Sequence, residues 1–327
     1  MERLKNFVHS VVGCDAHIEY PCCVLGTIQR EPQQLDEHLE NSFYLFTYRR
    51  YFDPLPYSTL TSDKGWGCLA RATQMLLACS LRRHSAQDCK LQYFADLDDE
   101  QVAPFSLHCM VRHILKQGES LRPVYWAPSQ GCEAISGCVK RATERGILSS
   151  PLSVVITVAG AVPAEEVSCH LKESRNVLIL APLRCGASRC MSQKMFLSLE
   201  HLLLAPESVG MVGGVPNRGY YIIGTGAQEL LLYLDPHCKT QDALLSGEPG
   251  ETGVVKPTSS NLRSVPYGQV DTSFFLGFFV DSQSRWESLQ KRIEGLSKQK
   301  LHPIVSVYRG GPHTPVDLLV MEWPTEP

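Results

Sequence analysis

TSDKGWGCLARATQMLLACSL, residues Thr61 to Leu81, changes character at its eighth residue, Cys68. Up to Gly67 it is a turn-forming run. From Leu69 onward the apolar residues Leu69, Ala72, Leu76 and Cys79 recur at three- and four-residue spacing, with Met75 beside them. That period predicts one buried face of a helix. Arg82, Arg83 and His84 follow, the charge sign that a helix C-terminus favours. Cys68 therefore stands where a glycine-flanked loop enters a helix. The positive end of the helix dipole and unpaired backbone N–H groups favour a thiolate there. Gly65 and Gly67 leave room for a substrate backbone beside the sulfur. The rival reading is a buried structural cysteine, since free cysteines are among the most buried residues. A histidine and an orienting acid elsewhere in the chain would decide between them.

Both occur in LLYLDPHCKTQ, residues Leu231 to Gln241. Leu230 to Leu234 reads as a short buried strand that ends at Asp235, Pro236 and His237. Pro236 fixes the backbone between acid and imidazole. The histidine can take the thiol proton and return it to a leaving group, and the aspartate can hold its tautomer. Asp-Pro on its own would be only a turn signal.

Together these segments resemble the autophagin family, the autophagy-related protein 4 cysteine proteases. The family pattern PTSDxGWGC is echoed at Leu60 to Met75, FTYR at Phe46 to Arg49, GGxPN at Gly213 to Asn217 and YLDPH at Tyr233 to His237. Weaker echoes are Val24-Leu25-Gly26, Phe94-Ala95-Asp96, Pro182-Leu183-Arg184 and Gly277-Phe278-Phe279, in family order from about residue 24 to about 295. The resemblance implies an α/β (α+β) papain-like cysteine protease fold with a small auxiliary domain. It implies cleavage after the C-terminal glycine of a ubiquitin-like modifier, autophagy-related protein 8. That activity would process the precursor and release the modifier from phosphatidylethanolamine, with transient membrane-surface contact through the substrate. Cys68 matches the nucleophile, Asp235 the orienting acid and His237 the base. Tyr48 matches the tyrosine that shares the oxyanion hole with the Cys68 backbone N–H, where preorganised donors are needed. Trp66, Tyr125, Trp126, Pro216 and Asn217 are the substrate-binding positions implied. Pro216 and its neighbours match a loop over the site. The family's opposing WYGP-like tryptophan aligns with Tyr125, with Trp126 next to it. The family's histidine in the PNSAHY segment is Tyr220 here.

Composition narrows the alternatives. Of 327 residues 43% are apolar and 20% charged, an ordinary globular balance, and the net charge of −3 suggests no nucleic-acid partner. No apolar run approaches a membrane span, and Met1 to Tyr20 lacks a signal-peptide core. Thirteen cysteines, an odd count in a long chain, are expected as reduced thiols in the cytoplasm. No CxxC pair occurs, and His108 and His113 are five apart rather than four. No metal or cofactor is expected.

In order, residues 1–23 are expected as a lead-in and 24–295 as the peptidase domain, with the auxiliary subdomain at roughly 85–150. Gln34 to Ser42 reads as acidic and polar, and Gln92 to Gln101 as an acidic loop on the solvent side. Helices are expected at Ser106–Lys116, Gly131–Arg145, Ala164–Lys172 and Met195–Leu204, and strands at Ser153–Val158, Val177–Pro182 and Phe274–Val280. Tyr220–Gly224 and Leu230–Leu234 read as a hairpin that puts Asp235 at a sheet edge. Residues 242–265 are expected as a surface loop. Ser284 to Glu287 reads as a capping box for a helix to Ile293. Within 296–327, Leu301–Arg309 and Val316–Met321 read as a terminal strand pair. Two rivals to the leading function remain: a protease for the ubiquitin-fold modifier, and a non-catalytic modifier-binding scaffold.

Overall fold

The computed structural model describes residues 18–115, 125–185, 190–246 and 254–310. Most of the expected lead-in, the Lys116 end of one helix and the strand Val316–Met321 lie outside those residues. In chain order the elements are β1 (Cys22–Val24), β2 (Thr27–Gln29), α1 (Pro32–Ser42), β3 (Leu45–Phe46), β4 (Tyr48–Arg50), α2 (Cys68–His84), α3 (Leu107–Ile114) and α4 (Pro128–Glu144). Then come β5 (Leu152–Ile156), β6 (Ala161–Pro163), α5 (Ala164–Lys172), β7 (Asn176–Arg184), α6 (Gln193–Leu203), β8 (Ser208–Val215), β9 (Arg218–Gly226) and β10 (Leu230–Leu234). The last are β11 (Thr240–Asp242), β12 (Val254–Val255), β13 (Leu262–Pro266), β14 (Ser273–Val280), α7 (Gln283–Lys298) and β15 (Ser306–Tyr308).

A mixed sheet in the order β13-β10-β9-β8-β14-β7-β5, extended by β1 and β2 beside β9, forms the middle layer. Alternation of side chains across the pleat divides the core in two. On β14, Phe275 and Phe279 join the apolar cluster built with α1 to α4. Phe274, Leu276 and Phe278 join the cluster built with α5 to α7. The result is an α/β protein with helices on both sheet faces. Phe94, Phe105, Ala134 and Ile135, from the expected auxiliary region, share one cluster with Met75 and Leu76 of α2.

The helix after Cys68 forms as its period predicts, but it is buried on every side from Cys68 through Leu81. Polar residues such as Arg71, Thr73 and Gln74 face neighbouring segments rather than water. Two other polar segments turn inward in part for the same kind of reason. Gln34–Ser42 belongs to α1, whose Leu35 and Leu39 pack into the core from a four-residue spacing. The 92–101 segment is a solvent-side loop only in part: Tyr93 to Asp96 are buried, whereas Asp98, Asp99 and Gln101 are exposed.

Toward the C-terminus, the 242–265 stretch contributes β12 and β13, and β13 pairs with β10 along its whole length. Asp235 thus follows a strand one position in from the edge. Residues 247–253 of that stretch lie outside the described residues. Helix α7 begins two residues before the expected capping box: Ser282 accepts the Arg285 N–H, and the helix runs on to Lys298. Strand β15 pairs in parallel with β6. Among the described residues no helix is long and apolar enough to cross a membrane, and the twelve described cysteines are all free.

Candidate active site

Asp63 shapes the turn before Cys68. Its carbonyl accepts the N–H of Trp66 at 3.2 Å and of Gly67 at 2.8 Å. Its carboxylate accepts the Arg49 backbone N–H at 2.6 Å and Arg71 Nε at 2.5 Å. Gly65 takes φ 87° in this turn, a conformation that costs a residue with a Cβ. Arg71 goes on to Asp96 Oδ1 at 2.9 Å, and Asp96 Oδ2 accepts the Leu244 N–H at 2.9 Å. Arg49 Nε lies 3.6 Å from Asp96. All four charged side chains are within 1% of full burial. Two positive and two negative groups offset one another, which lets charges persist without water. The cluster ties together the loop before Cys68, the helix after it, and β4.

Cys68 is the first residue of α2 and is 1% exposed. Its Sγ accepts the Gly219 N–H at 3.3 Å from the start of β9. Burial pushes the thiol up, yet the His237 hydrogen bond, the Gly219 N–H, the His237 charge and the Tyr48 hydroxyl together hold it below its ordinary value. His237 moves the opposite way. Burial lowers it, but hydrogen bonds to Asp235 and Cys68 raise it to about 9. The two groups therefore favour a thiolate–imidazolium pair. Asp235 Oδ1 takes His237 Nδ1 at 2.5 Å and the His237 backbone N–H at 2.8 Å, so the other ring nitrogen is left for the sulfur.

Tyr48 comes to the same point on β4. Its N–H donates to Pro236 O at 3.2 Å, and β4 runs parallel to β11, with Tyr48 opposite Thr240. The strand before the cysteine loop is thereby zipped to the segment after the histidine. The Tyr48 ring meets His237 edge to face at 5.3 Å, and its hydroxyl reaches the Cys68 sulfur. Burial and the facing Cys68 charge push that hydroxyl well above its usual value, so it stays a donor.

Beside Cys68 opens a cleft of about 160 Å³. Tyr125 and Trp126 stand on one wall, Pro216, Asn217 and Gly219 on another, and Asp271 and Ser273 close it. Tyr125 is 49% exposed, whereas Trp126 is buried with its indole N–H unpartnered among the described residues. Pro216 and Asn217 form the β8–β9 turn, with Asn217 at φ 66°. Trp66 departs from its expected place. It lies in the core, its indole N–H donates to Ser62 O at 3.1 Å, and it does not line the cleft. Sequence reasoning missed Gly219, which meets Cys68 because the β8–β9 hairpin packs on α2, and Asp271 and Ser273 at the start of β14, where the Asp271 N–H donates to Gly214 O. Asp96 carried a faint signal in Phe94-Ala95-Asp96. Among the described residues no three His, Cys, Asp or Glu side chains gather as a metal site.

The arrangement has the groups that acyl transfer through a thioester requires: a thiol, an imidazole against it, a carboxylate behind the imidazole and a hydroxyl donor beside the sulfur. The sequence model of the Peptidase C54 catalytic domain matches residues 32–292. The chain is 27% identical over 320 residues to Cysteine protease ATG4B of Xenopus laevis, spanning 85% of this chain and 80% of that protein. It is 31% identical over 267 residues to Probable cysteine protease atg4 of Schizosaccharomyces pombe, spanning 80% and 78%. It is also 28% identical over 323 residues to Cysteine protease ATG4A of Gallus gallus, spanning 83% and 81%.

Proposed function

Because this chain belongs to the peptidase C54 family of autophagy cysteine proteases, with its papain-like α/β fold, we propose that it cleaves after the C-terminal glycine of the ubiquitin-like modifier autophagy-related protein 8. In this reading it trims the modifier's precursor and also releases the modifier from phosphatidylethanolamine, in the cytoplasm and without a cofactor. The observation that carries the proposal is the convergence of Cys68, His237, Asp235 and Tyr48 beside a cleft walled by glycine backbone.

The reaction follows from that convergence. The Cys68 thiolate attacks the glycine carbonyl carbon. The oxygen, now negative, is met by the Tyr48 hydroxyl and the Cys68 N–H at the first turn of α2. His237 gives its proton to the departing amine, and the C–N bond breaks to leave a thioester. Water, deprotonated by His237, then releases the carboxylate and regenerates the thiolate. Gly213, Gly214 and Gly219 supply the wall that a side chain would fill, so the narrow cleft favours glycine at the scissile bond. Tyr125, Trp126, Pro216 and Asn217 would hold the modifier's tail.

The test is mass spectrometry of a C-terminally extended modifier incubated with wild type and with Cys68→Ala under reducing conditions. Cleavage after the glycine by wild type alone is expected. Binding without turnover by wild type would favour the scaffold reading. Turnover of the ubiquitin-fold modifier in its place would redirect the substrate assignment.

A further inference from the structure

Two tyrosine rings meet His237 edge to face. Tyr48 does so at 5.3 Å and 89°, and Tyr220, from β9, at 5.7 Å and 79°. Tyr220 is itself stacked on Tyr233 of β10, with centroids 4.1 Å apart and planes 24° from parallel. Both of these tyrosines are almost fully buried, on the sheet face away from α2. The Tyr220 hydroxyl hydrogen-bonds Arg218 and Tyr233, and Arg218 lines the cleft.

Asp235 alone leaves the base underdetermined. Its Oδ1 fixes one ring nitrogen and the backbone N–H, but the torsion that turns an imidazole plane has a broad, shallow well. The His237 side chain is 17% exposed, so close packing on all sides does not set that plane. Edge-to-face contact is the geometry aromatic rings favour, and a ring backed by a stacked partner cannot easily turn away. The titratable groups facing His237 are Asp235, Cys68, Tyr48 and Tyr220. Of these, Tyr220 alone takes no part in the acyl-transfer steps.

We propose that Tyr220, held by its stack on Tyr233, is a positioning residue that sets the plane of the His237 imidazole so that its free nitrogen faces the Cys68 sulfur. This rests on the reading of Cys68 and His237 as nucleophile and base. The ring carries the role, through its edge-to-face contact with His237 and its stack on Tyr233. Tyr220→Phe keeps the slot; Tyr220→Leu opens it; Tyr233→Leu removes the backing without touching the base.

The experiment follows alkylation of Cys68 by iodoacetamide against pH, quantified on the Cys68 peptide by mass spectrometry, alongside kcat and KM. Tyr220→Phe is expected to keep the wild-type midpoint. Tyr220→Leu should raise it by about one pH unit, slowing alkylation roughly tenfold at pH below the wild-type midpoint. In that variant kcat should fall about tenfold with KM within about twofold. Tyr233→Leu should shift the midpoint the same way by less. A purely structural tyrosine pair would lower the melting temperature and leave the midpoint where it is. Unchanged midpoints in Tyr220→Leu and Tyr233→Leu overturn the proposal, and Tyr233→Leu decides alone if Tyr220→Leu does not fold. A His237→Ala control separates the layers. If that change leaves the wild-type midpoint in place, the nucleophile–base reading fails and takes this inference with it.

Discussion

One oxygen of Asp235 holds His237 twice, by the ring Nδ1 at 2.5 Å and by the backbone N–H at 2.8 Å. The acid fixes both the tautomer and the place where the chain turns, and Pro236 keeps the short link stiff. The charge of the acid also raises His237, which favours the protonated ring beside a thiolate.

Asp235→Asn separates these roles, since the amide keeps the shape and loses the charge. It is expected to lower kcat/KM by roughly 10²–10⁴-fold with the fold intact. Steady-state cleavage of the extended modifier, with circular dichroism as the folding control, checks this. A loss below about threefold would remove Asp235 from the catalytic set.

The pH profile follows from the two shifted groups. The reactive pair needs Cys68 without its proton and His237 with it. Cys68 lies below its ordinary value, so activity rises on the acid side well before a free thiol would ionise. His237 titrates at about 9, so activity falls through that region. A bell-shaped kcat/KM with its alkaline limb near 9 is expected, and Asp235→Asn should move that limb down toward the ordinary imidazole value of 6.5. An alkaline limb that does not move in Asp235→Asn would assign it to another group.

The Arg49–Asp63–Arg71–Asp96 cluster predicts a contrast in stability. Asp96→Ala leaves two buried guanidinium groups short of an acceptor and frees the Leu244 N–H, so it should cost about 3–5 kcal/mol. Asp242→Ala removes the ion pair with Arg50, whose partners are about half exposed, and should leave stability almost unchanged. Urea denaturation of both variants gives the comparison. Equal losses would mean that the buried charges are not held as the distances indicate.

Much of this was legible before any coordinates, for local reasons. The period from Leu69 to Cys79 fixes a helix, and a glycine-rich turn fixes its start, so Cys68 is readable as a helix-start thiol. Asp235 and His237 are readable because acid and base sit two residues apart at a strand end. What the sequence hid is pairing. Gly219 reaches the sulfur only because β8 and β9 fold back on α2. Asp96 looks like one acid among several in an acidic run, and only the fold turns it inward to Arg71. Strand β13 has little alternation of its own, and it exists because β10 offers an edge. Trp66 sits between two glycines just before Cys68, a position that suits a substrate contact and a core anchor equally; its bond to Ser62 O makes it the anchor.

Gly214 gives the last prediction. It takes φ 157°, and a Cβ there would fall 2.0 Å from the Arg218 carbonyl oxygen. Backbone cannot yield as a side-chain tip would, so Gly214→Ala must open the β8–β9 hairpin where Val215 faces Arg218. That movement carries Pro216 and Asn217 off the cleft and pulls the Gly219 N–H from the Cys68 sulfur, while the Asp235–His237 contacts lie outside the hairpin. The variant should therefore keep its alkaline limb near 9 and lose kcat/KM by about tenfold or more. Loss of activity with a displaced alkaline limb would instead mean that the opening runs along β9 to Tyr220 and, through its ring, to His237. Wild-type activity would mean that the turn over the cleft adjusts freely, and that Pro216 and Asn217 do not hold the modifier's tail.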